Sequence, residues 1–123
     1  MGLLKPVEWI GSSRDDLRSF PAEVREVMGE ALYRAQQGGE HPAAKAFKGF
    51  GGRGVLEIVD YHRGGTYRTI YTVKFENAIY VLHAFQKKSK KGIATPRQEI
   101  ELIKTRFKRA EEHHGSVRKE GRS

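Results

Sequence analysis

The sequence predicts a small α+β domain of order β-α-α-β-β-β-α, with two helices near the N-terminus, one at the C-terminus and a small twisted antiparallel sheet between them. Three observations carry this. Apolar residues recur at spacings of three and four between Val24 and Ala35 and again between Ile100 and Ala110, as on amphipathic helices. Three runs, 55–62, 67–75 and 78–86, are rich in Val, Ile, Tyr, Phe and Thr and are separated by turn-forming segments. A chain of 123 residues suffices for one domain with a single modest core, burying roughly two thirds of its unfolded surface.

Each element has a local reason. KPVEWIG, residues 5–11, sets Val7, Trp9 and Gly11 on one parity and reads as a first strand. Ser12 or Ser13 offers an N-cap, Asp15 and Asp16 follow in the first turn, and this short helix ends near Phe20, because the residue before Pro21 is pushed out of helical backbone. Pro21 suits the first position of a second helix, where its missing N–H is not needed. Val24, Val27, Met28, Ala31, Leu32 and Ala35 form the stripe of that helix, and Gly38-Gly39 closes it. Six glycines between Gly38 and Gly54, without periodicity, predict a mobile loop carrying Lys45, Lys48 and Arg53. Arg63-Gly64-Gly65-Thr66 and Glu76-Asn77 join the next three strands into a meander. In its middle strand Arg68 shares parity with Ile70, Thr72 and Lys74, whereas Tyr67, Tyr71, Val73 and Phe75 are the set expected beneath the helices. Thr95, Pro96 and Gln98 make a capping box for the last helix. Ile100, Ile103, Phe107 and Ala110 are its apolar stripe, and Lys104, Arg106, Lys108 and Arg109 lie largely off it. The domain is expected to span 1–114, with 115–123 a disordered polar tail.

The net charge of +8 is unevenly placed: residues 1–62 hold 8 Lys and Arg against 9 Asp and Glu, and residues 63–123 hold 15 against 6. A one-sided excess of this kind points to a polyanion, nucleic acid before an acidic protein. There are no cysteines, so neither disulfides nor thiolate metal sites are available, and a cytoplasmic location is expected. No stretch approaches the roughly 18 apolar residues of a membrane span. His41, His62, His113 and His114 contain no helical i,i+4 pair, and GFGGRG at 49–54 lacks the Lys-Ser/Thr of a nucleotide loop, so no metal and no small-molecule cofactor is expected.

The runs KAFKGFGGRGVLEI, GGTYRTIY and VLHAFQKKSKKGIATPRQEIELIKTRFKRA resemble the RelE/ParE superfamily of bacterial toxins, most closely its phage-related HigB-like branch, over roughly residues 5–112. The most specific parts are Tyr67-Arg68, Leu82-His83-Ala84-Phe85 leading to Lys87-Lys88, and Thr95-Pro96. The resemblance implies the toxin of a type II toxin–antitoxin pair, a metal-independent endoribonuclease that cuts messenger RNA on the ribosome. Its expected partners are mRNA, the ribosome and a cognate antitoxin from a neighbouring gene, of helix-turn-helix type. It also implies helices on one face of the sheet and a basic RNA cleft on the other.

In that chemistry the ribose 2′-hydroxyl attacks the adjacent phosphodiester, leaving a cyclic phosphate and a 5′-hydroxyl, so the protein must grip phosphate, move protons and stabilise added charge. Arg68 is the first candidate, because a planar guanidinium grips two phosphate oxygens and the resemblance places an arginine there. Lys87 and Lys88 point to opposite faces of a continuing strand, and the resemblance ranks Lys88 higher. Glu57 and His83 are candidates for proton transfer, set against an ion pair with Arg68 or with an antitoxin arginine for the one and a satisfied core histidine for the other. Lys45, Lys48, Arg53, Lys90 and Lys91 are read as RNA contacts. One departure stands out: where the family reads Trp-Glu-Leu-Arg, this chain reads Leu56-Glu57-Ile58-Val59, and His62 or Arg63 is left to supply the missing charge. Two other readings keep the fold: a ParE-like inhibitor of DNA gyrase, and an inert module that binds nucleic acid or antitoxin.

Overall fold

The computed structural model describes residues 4–52, 54–87 and 95–120, the last four by backbone alone. Arg53, Lys88, Lys90 and Lys91, all candidates above, lie outside the described residues. The order is β1 (Val7–Trp9), α1 (Ser13–Arg18), α2 (Ala22–Gln36), β2 (Lys45–Ala46), β3 (Val55–His62), β4 (Gly65–Thr72), β5 (Ile79–Lys87) and α3 (Arg97–Glu120). The five strands form one sheet in the order β1-β5-β4-β3-β2. β3, β4 and β5 make the predicted antiparallel meander, and β1 adds to β5 in parallel, which makes the sheet mixed.

Both faces of the sheet are covered, whereas one free face was expected. On one side α1 and α2 bury Leu17, Phe20, Val24, Met28, Ala31 and Leu32 against Ile58, Tyr67, Tyr71, Ile79 and Val81. On the other, Ile103, Phe107 and Ala110 of α3 pack with Val55, Ile70, Tyr80 and Leu82. Covering the second face adds apolar burial, worth roughly 25 cal/mol per Å², which matters in a chain with so modest a core. The parity reading of β4 holds for Tyr67 and Tyr71 against Arg68 and Ile70. Phe75 departs from it, because β4 stops at Thr72 and Phe75 joins the α3 side.

Two further expectations change. The glycine-rich stretch is anchored: Phe47 and Phe50 are 7 % and 2 % exposed, and the Phe50 ring meets Phe107 edge-on at 5.6 Å. Its glycines serve backbone that other residues avoid, as at Gly54, where φ is +71° and a Cβ would lie 3.1 Å from the Lys74 amide. The polar tail is helical through Glu120, since α3 runs over Gly115 without a break. Gly115 costs a helix only about 1 kcal/mol. At α2, Pro21 stands one place earlier than expected, as the cap itself with ψ 152°, its carbonyl accepting from the Arg25 amide at 2.9 Å. None of the described helices is long and apolar enough to cross a membrane.

Candidate active site

The meander arranges the α3 face of the sheet in cross-strand rows. Glu57, Ile70 and His83 form one row, Val59, Arg68 and Phe85 the next, and Tyr61, Thr66 and Lys87 the one beyond. This alignment depends on an irregularity. Ile70 pairs with His83 but Tyr71 with Val81, so Leu82 is an extra residue that makes a β-bulge. Leu82 and His83 both face α3 as a result, and the alternation beyond them brings Phe85 and Lys87 to the face of Arg68. A regular strand registered on Leu82 would turn all three away.

Arg68 is buried at 9 % exposure, and its Nη1 donates to Oε2 of Glu57 at 3.1 Å. Lys45 of β2, opposite Glu57 in register, brings its Nζ to 3.9 Å from Oε1. One carboxylate thus faces two cations, which fixes the guanidinium and balances part of the charge that burial makes costly. Glu57 is therefore in the ion pair weighed above for it. Lys87 lies at the other end of the face, where burial, and then the positive charge of Arg68, pull its ammonium below the ordinary lysine value. Lys48 is exposed in the loop after β2.

His83 has both ring nitrogens engaged. Nε2 bonds Glu99 in the first turn of α3, and Nδ1 lies 3.3 Å from Nη1 of Arg106, the only one of the two atoms with protons to give in that contact if Nε2 keeps its own. Its ring also stacks on Phe85 at 4.8 Å and 21°. Both nitrogens thus have partners within the fold at a residue 6 % exposed. Arg106 was expected off the apolar stripe and is instead 9 % exposed. It donates to the Leu82 carbonyl at 3.0 Å and to Ser12 Oγ at 3.2 Å, and Ser12 donates in turn to Asp16 at 2.7 Å. Gly11, at φ +58°, makes the room, since a Cβ there would stand 2.9 Å from the guanidinium. The signal was available: 103, 106 and 110 share one helical face, and position 106 reads as charged only if its head group is assumed to reach water.

His62 does not replace the missing strand arginine on this face. Its side chain turns to the other side of the sheet, where Nε2 lies 3.1 Å from Glu23 of α2. An open cleft of about 490 Å³ runs between the end of α1 and the outer edge of β5, lined by Asp16, Phe20, Tyr67 and Gln86 and also by His83 and Phe85 of the rows. Arg68 and Lys87 are not among its walls, and Asp16 gives it the wrong charge for phosphate. The charged rows, not the cleft, are the candidate site.

The family model described as phage-derived protein Gp49-like matches residues 15–108, most of the chain and all of the elements from α1 to the middle of α3. No curated protein matches. Among solved structures, a mutant of the Escherichia coli toxin RelE in the free state is 18 % identical, with a TM-score of 0.48, over 67 % of this chain and 82 % of that one. The toxin–antitoxin complex RelBE2 of Mycobacterium tuberculosis is 17 % identical, with a TM-score of 0.45, over 72 % of this chain and 98 % of that one. Both likenesses are distant, so the assignment rests on the long family match. The chain belongs to the phage-derived Gp49-like family, of the RelE/HigB type of toxin that its sequence resembles.

Proposed function

We propose that this protein is the toxin of a toxin–antitoxin pair and acts as a metal-independent endoribonuclease on messenger RNA at the ribosome. The observation that carries the reading is a buried, carboxylate-held arginine with Lys87 in the next cross-strand row of the same sheet face. Family membership and the one-sided positive charge support it.

Arg68 would grip the scissile phosphate, strengthening its hold as the phosphorus gains charge. The 2′-oxygen forms its bond to phosphorus while the bond to the 5′-oxygen breaks. A proton must leave the first oxygen and another must reach the second. Lys87, an ammonium made more acidic by its surroundings, suits the delivery of a proton to the leaving oxygen. Glu57, which holds Arg68, is the carboxylate on this face that would take the opposite proton. His83, with both nitrogens engaged, positions Phe85 rather than exchanging protons with substrate. Lys88 keeps its proposed place as a second basic residue of the cut, and Lys45, Lys48, Arg53, Lys90 and Lys91 that of RNA or ribosome contacts, each adding salt-dependent attraction. A cognate antitoxin is the expected partner, because a basic face is neutralised most directly by an acidic or amphipathic segment laid on it.

Induced expression without the partner is the test. Translation should stop, and primer extension should map new 5′-hydroxyl ends within translated messages. Continued protein synthesis at high expression overturns the reading, and arrest through damaged DNA with intact messages moves the protein to the gyrase-inhibitor class.

A further inference from the structure

The cleft beside β5 has no part in the chemistry above, and its walls differ in kind from the charged rows. Asp16, Ser19 and Gln86 supply its polar groups, and Phe20, Tyr67 and Phe85 its aromatic ones. Its volume of about 490 Å³ falls within the roughly 300–1,000 Å³ of small-molecule sites. It opens on the strand next to Arg68, because Phe85, one of its walls, stands opposite Arg68 in register.

The polar groups are mostly acceptors. Oδ2 of Asp16 accepts from the Ser12 hydroxyl at 2.7 Å, and Ser12 Oγ accepts in turn from Nη2 of Arg106 at 3.2 Å, which holds the carboxylate in place. Oδ1 accepts from no donor among the described residues. The Ser19 hydroxyl gives its proton to the Asp16 carbonyl at 2.6 Å, so its oxygen can only accept from a ligand. The exposed Gln86 side chain forms no hydrogen bond among the described residues, which leaves its amide able to donate. Asp16 repels a phosphate, and Arg106 already stands behind the carboxylate through Ser12, so a second cation is not required. What suits these groups is a flat, neutral edge with two N–H donors beside a carbonyl. Guanine has that edge: N1–H and the 2-amino group donate, and O6 accepts. Uracil has one N–H between two carbonyls, and cytosine and adenine each set a bare ring nitrogen beside the amino group, where it would meet the carboxylate lone pairs.

We propose that the cleft binds a guanine base of the RNA, with N1–H and the 2-amino group on Asp16 and O6 toward the Gln86 amide, while Arg68 holds a phosphate of the same strand. The inference rests on the ribonuclease reading and names the base which that site reads. The carboxylate that keeps phosphate out of the cleft is the group that selects the base.

The test titrates the full chain with each of the four nucleoside 3′-monophosphates, followed by backbone amide resonances, in the parent and in Asp16→Asn, with circular dichroism to check folding. The carboxamide keeps the size of the side chain and an acceptor for Ser12, but sets an N–H against the donors of the base. Guanosine 3′-monophosphate should shift the amides of Ser19, Ala84 and Gln86 and bind about tenfold tighter than the other three, and Asp16→Asn should erase that margin. Equal binding of all four, or a guanine margin that survives Asp16→Asn, overturns the proposal. So does a cleft that responds to N-acetylargininamide and to no nucleotide, which would make it a seat for a protein partner's arginine. None of these results touches the ribonuclease reading, which stands or falls on the map of cut messages. A parent that cuts nothing while guanosine 3′-monophosphate fills the cleft overturns that reading and keeps the base site.

Discussion

The two faces of β4 are built for different ends. On the side of Tyr67 and Tyr71, α1 and α2 close over an apolar core as far as the cleft beside Tyr67, and burial, then the charge of Glu40, push the Tyr71 hydroxyl up to about 12. On the side of Arg68 and Ile70 the same strand changes character at the row of His83. On one side of that row α3 presses Ile103 and Phe107 onto an apolar sheet, and on the other Arg68, Phe85 and Lys87 follow one another. Arg106 and Glu99 of α3 hold His83 between these zones. A fold of this size stays stable while carrying charge by confining the charge to one end of one face and tying its border with side-chain bonds.

The largest effect should come from breaking the charged zone. Arg68→Ala is expected to lower cleavage on the order of 100- to 1000-fold, the usual loss on removing one donor aimed at transition-state charge. It also leaves Glu57 buried with Lys45 as its one cation partner among the described residues, so melting temperature should fall as well. The double variant Arg68→Ala/Glu57→Gln reads the stability effect alone: with the stranded carboxylate neutralised, thermal melts should recover toward the parent. A double variant that cuts would remove Arg68 from the chemistry.

The border is the next place to press. Arg106→Met keeps much of the bulk but strands the Leu82 carbonyl and Nδ1 of His83, each such orphan costing about 1–3 kcal/mol. Chemical denaturation should show the loss, and the His83 ring resonances should shift. If Arg106 acts on the site only through this border, Arg106→Lys should recover more cleavage than stability, since one ammonium reaches fewer of the three acceptors.

How much of this was legible follows from where each signal resides. The meander and the stripe of α2 were readable because periodicity and turn residues are local, and β3 appears at the boundaries read from VLEIVDYH. The parity that puts Arg68 opposite Tyr67 was readable for the same reason. The bulge at Leu82 was not, because it exists only in the register between two strands. It decides that Lys87 comes to the face of Arg68, whereas the resemblance favoured Lys88, which lies outside the described residues. The second helical layer was missed because the resemblance set the helices on one face and a basic cleft on the other, although Ile103, Phe107 and Ala110 had already declared a buried face for α3. The covered glycine-rich loop was missed in the same way, by weighing its glycines above Phe47 and Phe50.

A smaller effect tests whether Lys87 and Arg68 feel each other. The Lys87 ammonium lies below its ordinary pKa through burial and the charge of Arg68, so more of it is neutral at a given alkaline pH than of an isolated lysine. Removing the positive charge in Arg68→Gln takes away one of the two causes and should raise the Lys87 pKa. Neutral amine is the form that acylates, so mass-spectrometric labelling at mildly alkaline pH should show Lys87 reacting faster in the parent than in Arg68→Gln. If Lys87 donates a proton in the parent, its cleavage rate should fall as pH rises through that lowered value. Equal labelling in the two proteins would place the lysine outside the field of Arg68.

The smallest expected effect lies at the turn that carries Tyr61 and Thr66 into their shared row. His62 pairs with Gly65, so the hairpin loop is Arg63-Gly64, with φ of +47° and +81°. Two positive φ values in a two-residue loop are those of a type I′ turn, whose twist matches that of the flanking strands and which favours Asn-Gly. Arg63 is the one described residue other than glycine with positive φ, and left-handed backbone costs an ordinary side chain roughly 1–2 kcal/mol. Asparagine tolerates that region better, so Arg63→Asn should stabilise the fold by about 0.5–1 kcal/mol, read as a rise in the midpoint of denaturant unfolding without a change in slope. The α1/α2 face should be indifferent to this change, and cleavage per folded molecule should stay at the parental level. A fall in cleavage with the stability gain intact would assign the Arg63 charge to RNA binding and extend the charged zone around the hairpin tip.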